Sequence, residues 1–282
     1  MTLQERTEVL ANLSHVVADM NYLVPMDERP RNYTFEPPVG VPRSNAEHAA
    51  HAVRIRDARP IAGAVSLDAN GFALVQHKSA VRDFFDDEEV RRVYYPEVER
   101  IVKDATGASR VHIFDHTTRR RVPDAEAGAD APRQPVRRVH IDHTARSGPQ
   151  RVRDLLPDEA DVLLKGRVQV INLWRPIKGP LLDSPLAVCD ATSIDFNDLV
   201  PSDLVYPHRV GETYSVKFNP AHRWYYVPRM RTDEALLLKC CDTATGVPAR
   251  YTPHSAFSDP TAPADAPPRE SIEVRVLVFH PA

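Results

Sequence analysis

Cysteine is scarce in this 282-residue chain: there are three, Cys189, Cys240 and Cys241, two of them adjacent. Neighbouring cysteines seldom bridge each other, so no disulfide framework is expected and a reducing cytoplasm is the default location. Glycine is also scarce, at 10 residues against 26 prolines. Stiff, proline-rich connections between short strands suit a β-rich domain. A basic excess is missing. The formal net charge of -3 argues against a nucleic-acid-binding protein. No apolar run reaches spanning length and the start carries no signal-peptide pattern, so no membrane span and no secretion are expected. What is present is 42% hydrophobic and 27% charged residues, enough for the core of one large domain or two small ones.

Taken in order, residues 1–50 read as an N-terminal arm. Leu10, Leu13, Val16 and Val17 have helical spacing, and Pro25, Pro30, Pro37, Pro38 and Pro42 then break regular structure. Residues 51–282 read as a single domain. Asn70-Gly71, between Val65–Leu67 and Phe72–Val75, predicts a hairpin. Apolar residues from Val90 to Ala105 predict helix over 81–106, with Asp86 to Glu89 at its start, Pro96 splitting it and Gly107 ending it. Residues 120–137 read as a surface loop, and 157–165 as a short helix. From 167 onward strand patterns dominate, at Val168–Trp174, Leu186–Asp190, Thr213–Phe218, Arg223–Val227, Ala235–Asp242, Ala249–Pro253 and Ile272–Phe279. Many short strands after a mixed start predict a mainly β fold with flanking helices around a double-stranded β-helix (jelly-roll) core.

The chemistry centres on Arg138-Val139-His140-Ile141-Asp142-His143-Thr144. In a strand, His140 and Asp142 point the same way and His143 points away. An imidazole and a carboxylate on one face can grip a metal ion, and a second histidine would complete the 2-His-1-carboxylate arrangement that leaves positions open on Fe(II). Downstream candidates are His208, His222 and His254. His112 and His116 have helical ligand spacing on a strand and read as lining or structural residues.

Fifteen residues after His254 comes Arg269-Glu270-Ser271, opening the last strand. Arg269, Ser271, Glu273 and Arg275 share one face; Ile272, Val274, Val276 and Val278 share the other. An arginine and a serine two apart make a receptor for a carboxylate. Arg275 is the rival for that role, and His222 the rival third ligand.

The order H-x-D, distal His, then R-x-S resembles the Fe(II)/2-oxoglutarate-dependent oxygenases. Arg-Arg-Val-His-Ile-Asp, Ile-Asn-Leu-Trp-Arg-Pro-Ile, Pro-Leu-Ala-Val-Cys-Asp, His-Arg-Trp-Tyr-Tyr-Val-Pro and Pro-Arg-Glu-Ser-Ile-Glu-Val-Arg are similar to a subfamily containing the cephem methoxylase small subunit and fungal secondary-metabolism hydroxylase/desaturases. The resemblance implies a metal site of His140, Asp142 and His254 and a 2-oxoglutarate contact at Arg269 and Ser271. Fe(II), 2-oxoglutarate and O2 would act together to hydroxylate, desaturate or peroxidise a small molecule. Asn172 and Arg175 are the polar pocket candidates, and Trp174, Trp224, Tyr225 and Tyr226 the aromatic ones. A homodimer or a partner enzyme is among the expected associations. The alternative function is an accessory subunit assisting an enzyme such as a methyltransferase.

Overall fold

The computed structural model describes residues 12–122 and 133–281. Among the described residues, the first seven strands in chain order are β1 (His15–Leu23), β2 (Arg31–Tyr33), β3 (His48–Asp57), β4 (Phe72–Gln76), β5 (Arg110–Arg120), β6 (His140–Ile141) and β7 (Val168–Pro176). There follow β8 (Leu186–Cys189), β9 (Leu199–Val205), β10 (Val210–Val216), β11 (Trp224–Tyr226), β12 (Glu234–Asp242), β13 (His254–Ala256) and β14 (Glu270–Phe279). They form a nine-stranded sheet, ordered β1-β3-β11-β8-β13-β6-β10-β9-β2, and a five-stranded sheet, ordered β4-β12-β7-β14-β5. Pairing is antiparallel except for β11 with β3 and β2 with β9. The mainly β, jelly-roll fold expected from the strand pattern is what the chain adopts.

The five-stranded sheet is buried on both faces, and its sequence alternation decides which residue goes where. Val170, Trp174, Leu236, Leu238 and Leu277 pack between the sheets with Ile55, Ile141, Val188 and Trp224 of the larger one. Ile171, Leu173, Leu237, Ile272, Val274, Val276 and Val278 form a second core on the other face. Helix α1 (Tyr95–Thr106) covers that second core with Val98, Ile101 and Val102. Each such side chain contributes about 1.5–3 kcal/mol on full burial. Pro96 lies in the first turn of α1, and Gly107 closes it at φ +66, its N–H bonded to the Lys103 carbonyl at 2.8 Å. The acidic run before it is a helix start: Asp86 accepts from the backbone of Glu88 and Glu89, and a π turn at Val90–Tyr94 leads into α1.

Four local expectations are corrected. The N-terminal helix is instead β1, paired with β3 at nine positions. Val16, Ala18, Met20 and Tyr22 are buried in alternation, so the period there is two, and Val17 is exposed; Leu10 lies outside the described residues. The hairpin at Asn70-Gly71 has only its second arm, β4. Val65–Leu67 is irregular, although Gly71 does sit at φ +86. Ala249–Pro253 is irregular and the strand begins at His254. Helix α2 (Ser147–Leu155) was not anticipated; the expected 157–165 helix narrows to α3 (Ala160–Leu163). Most of the 120–137 loop, residues 123–132, lies outside the described residues. No helix among the described residues is long and apolar enough to cross a membrane.

Candidate active site

Strand β6 lies between β13 and β10, and β13 brings His254 directly opposite His140. Their ring centroids are 4.4 Å apart. β6 ends at Ile141, and Asp142 follows at the bend beyond it. One nitrogen of each histidine and one oxygen of Asp142 all lie within 4.8 Å of one another. Nε2 of His140 and Nε2 of His254 are 3.4 and 3.9 Å from Asp142 Oδ1.

The surroundings fix the orientation of these groups. His140 Nδ1 is 2.8 Å from the Arg138 carbonyl, and His254 Nδ1 is 3.1 Å from the Thr252 carbonyl. A carbonyl only accepts, so each Nδ1 carries the proton and each Nε2 turns its lone pair inward. Asn172 Nδ2 donates to Asp142 Oδ2 at 2.7 Å, leaving Oδ1 toward the histidines. Burial alone would raise the Asp142 pKa, but the facing His140 and His254 rings and the cationic Arg275 hold it well below the usual carboxylate range. Burial, with the neighbouring His140, keeps His254 neutral to lower pH than usual. Two neutral imidazoles and an ionised carboxylate on one side of a cleft, each steadied from behind, fit a divalent iron with open positions.

The loop after Asp142 is pinned as well. Ser147 Oγ donates to the Glu212 carbonyl at 2.7 Å and accepts from the Thr144 N–H at 2.9 Å, while Thr144 Oγ1 meets the Glu212 carboxylate. These contacts tie the start of α2 to β10 beside the triad.

Arg269, the residue before β14, and Ser271, its second residue, lie at the start of that strand, in the cleft or bonded to a residue that lines it. Arg269 Nε donates to Ser271 Oγ at 3.0 Å and Nη1 to the Ser184 carbonyl at 2.9 Å. The guanidinium carbon lies 4.9 Å from the Trp174 ring centre. Arg269 is 3% exposed, yet among the described residues it has no ion pair with a carboxylate. Burial and the nearby Arg119 push its pKa down to about 9. It lines the same narrow cleft as His140, Asp142, His254 and Trp174. A larger cavity of about 470 Å³ adjoins the cleft and shares His140, Asp142, Arg119 and Val136 with it.

The rival assignments are occupied elsewhere. His222 Nδ1 is 3.1 Å from the Tyr22 hydroxyl and Nε2 is 3.1 Å from Asp198, while His208 is exposed in a loop. Arg275 is bound to Asp115 and Glu273 at 2.7 Å each. Arg175 is not a pocket residue. Its guanidinium turns to the other face of β7, bonding the carbonyls of His77 and Thr232 over the Tyr94 ring. Asn172 reaches the site through Asp142. Trp174 alone of the four aromatic candidates lines the cleft; Trp224, Tyr225 and Tyr226 are core. His112 is in neither chamber, and His116 bonds Tyr95 at 2.9 Å. His143 does not point away: with the strand ended at Ile141, it lines the larger cavity. Sequence reasoning missed the outer wall, including Phe114, Arg138, Arg151, Tyr206 and Arg209. Only Arg138 carried a signal, two residues before His140 on the same strand face.

Comparison with known proteins matches this geometry. A family model described as an oxidoreductase/YMDC permease-like domain matches residues 20–279. The Fe(II)/2-oxoglutarate-dependent dioxygenase nvfI of Aspergillus novofumigatus is 36% identical over 254 residues, covering 88% of this chain and 90% of that protein. The hydroxylase/desaturase efuI of Hormonema carpetanum is 38% identical over 248 residues, covering 80% and 83%. A solved structure of the iron and alpha-ketoglutarate-dependent endoperoxidase NvfI superposes with a TM-score of 0.86 at 33% identity, covering 95% of this chain and 99% of that one. The chain therefore belongs to the Fe(II)/2-oxoglutarate-dependent oxygenases, in the group that holds hydroxylase/desaturases of fungal secondary metabolism.

Proposed function

We propose that the chain oxidises an unactivated C–H bond of a small, secondary-metabolite-like molecule, by hydroxylation or desaturation. Fe(II) would be held by His140, Asp142 and His254. 2-Oxoglutarate would be held by Arg269 and Ser271, with Asn172 steadying the metal ligand. When bound, iron and 2-oxoglutarate supply O2 activation coupled to oxidative decarboxylation of the oxoacid.

The chain's own residues do the positioning. The backbone carbonyls of Arg138 and Thr252 fix both imidazole tautomers. Asn172 turns one Asp142 oxygen away from the iron position and leaves the other facing it. Trp174 backs the Arg269 guanidinium and covers one side of the cleft, which limits water there.

One observation carries the co-substrate reading. Arg269 is a buried guanidinium without a carboxylate partner among the described residues, in the same cleft as the triad. A buried charge needs a partner, and the far carboxylate of 2-oxoglutarate supplies one. The alternative of an accessory subunit draws no support from the relatives, which are named as a dioxygenase and a hydroxylase/desaturase. We place the reaction in a reducing cytoplasm, in keeping with three free, buried thiols, and expect one chain or a homodimer to suffice.

The test is succinate release from 2-oxoglutarate by the purified chain with Fe(II) and O2. His140→Ala and Asp142→Ala should each abolish it. Turnover retained in either variant would overturn the assignment.

A further inference from the structure

The larger cavity beside the triad is unevenly charged. Two of its arginines are neutralised, Arg275 by Asp115 and Glu273, and Arg146 by Glu212 at 2.8 Å. The others lack an ion pair among the described residues. Arg119 donates to the Gln134 carbonyl at 3.0 Å and Arg133 to Thr117 Oγ1 at 3.4 Å. Arg151 lies over the Phe114 ring, 4.8 Å from its centre, and Arg209 over Tyr206, at 4.2 Å. Arg138 is half-buried and its side chain makes no hydrogen bond among the described residues. Against these five cations the lining offers, among the described residues, one spare carboxylate, Asp154, which accepts from Gln150 at 2.8 Å, since Asp142 belongs to the triad.

The same chamber carries apolar surface from Phe114, Val136, Leu204 and Val210. Its volume of about 470 Å³ is that of a small-molecule site. Stacking on Phe114 and Tyr206 occupies the faces of two guanidinium groups and leaves their N–H edges free, and those edges match a carboxylate in a paired fashion. Arg138, Arg151 and Arg209 line only this outer chamber, whereas Arg119 lines it and the cleft of Arg269 alike. The outer three are therefore separate from the co-substrate position.

We propose that the substrate is a small molecule that carries a carboxylate beside apolar surface, and that Arg138, with Arg151 and Arg209, is the receptor for that carboxylate. The proposal rests on the oxygenase reading of the triad. Because the receptor adjoins His140 and Asp142, it fixes which carbon faces the iron position.

The test uses the full chain loaded with Mn(II) and N-oxalylglycine, an inert analogue that fills the 2-oxoglutarate position. Binding is measured by calorimetry for three acid and amide pairs: 1-naphthoate, 4-phenylbutyrate and decanoate, each against its primary amide. At least one acid should bind tenfold or more tighter than its amide. Arg138→Gln should cut that preference below threefold while leaving the amide and N-oxalylglycine affinities unchanged. Arg151→Gln serves as the second variant should Arg138→Gln fail to fold. Equal binding of every pair, binding of none, or full preference retained in the folded variant would overturn the proposal. So would a loss of N-oxalylglycine affinity in Arg138→Gln, which would assign that arginine to the co-substrate. Failure to take up N-oxalylglycine, with the acid preference intact, would strike the oxygenase reading and leave the receptor standing.

Discussion

Replacing Asn172 with alanine tests whether Asp142, as the proposed metal ligand, depends on the residue behind it. Asn172 is fully buried on β7, and its side chain's one hydrogen bond among the described residues is the 2.7 Å donation to Asp142 Oδ2. A hydrogen bond to a charged group contributes about 1.5–3 kcal/mol. At about 1.36 kcal/mol per decade, that corresponds to roughly a tenfold to hundredfold weakening of metal binding, the range seen when partners of metal ligands are removed. The bare carboxylate is a slightly better electron donor, but it can rotate, and the loss of orientation outweighs the gain. Anaerobic titration with Co(II), followed by its visible absorption, reads the dissociation constant directly. Circular dichroism and the thermal midpoint show whether the fold survives. A metal affinity within threefold of the parent chain, in a folded variant, would refute the reasoning.

His254→Ala should remove stoichiometric iron, whereas His222→Ala should retain it; the latter should lose about 2–3 kcal/mol of stability in urea melts, because Tyr22 and Asp198 each lose one buried hydrogen-bond partner. Arg269→Ala should raise the 2-oxoglutarate concentration needed for half-maximal succinate release by about tenfold to hundredfold, with iron stoichiometry unchanged. Arg275→Ala should instead lower the thermal midpoint, since it strands Asp115 and Glu273; an unchanged 2-oxoglutarate requirement in Arg269→Ala would reverse the two roles. Acidification from pH 7.5 to 5.5 should lower the urea midpoint. Burial holds His48, His77 and His222 below the ordinary histidine value, so the unfolded chain takes up protons first as pH falls through about 6.5. Asp68, Asp242 and Glu234, also held low, are ionised in both states across that window and contribute only below about pH 4. A midpoint that holds or rises on acidification would contradict this.

The convergence of His140, Asp142 and His254 was legible because the three are few and widely separated. His140 and Asp142 stood out by spacing, and β13 pairs His254 with His140 as a late strand can. Arg269 and Ser271 stood out because they are two apart at the start of β14, where alternation keeps such a pair on one face. Alternation failed where the strand did. His143 was assigned to the wrong side because nothing in Asp142-His143-Thr144 announces that β6 stops after Ile141. The pinning contacts of that bend come from Glu212, 68 residues beyond Thr144. The N-terminal helix was a misjudged period: Leu13 and Val16 are three apart, but Val16, Ala18, Met20 and Tyr22 spell a strand. Of the arginine-lined outer wall only Arg138 was legible, because the wall gathers loop, strand and helix residues that share a chamber only after the two sheets close.

The first strand carries more than its position suggests. Tyr22 accepts from Trp224 Nε1 at 2.7 Å and meets His222, so β1 is joined side chain to side chain with the loop and strand at 222–224 as well as paired with β3. A chain trimmed to begin after Leu23 would expose nine paired positions of β3 as a raw edge, together with the apolar ground beneath Val16, Met20 and Tyr22. Bare edges recruit strands from other molecules. Expression of shortened forms should therefore yield precipitate rather than a smaller enzyme, and the solvent-facing side of β1, at Val17 and Asp19, is the place where alterations for handling do least harm.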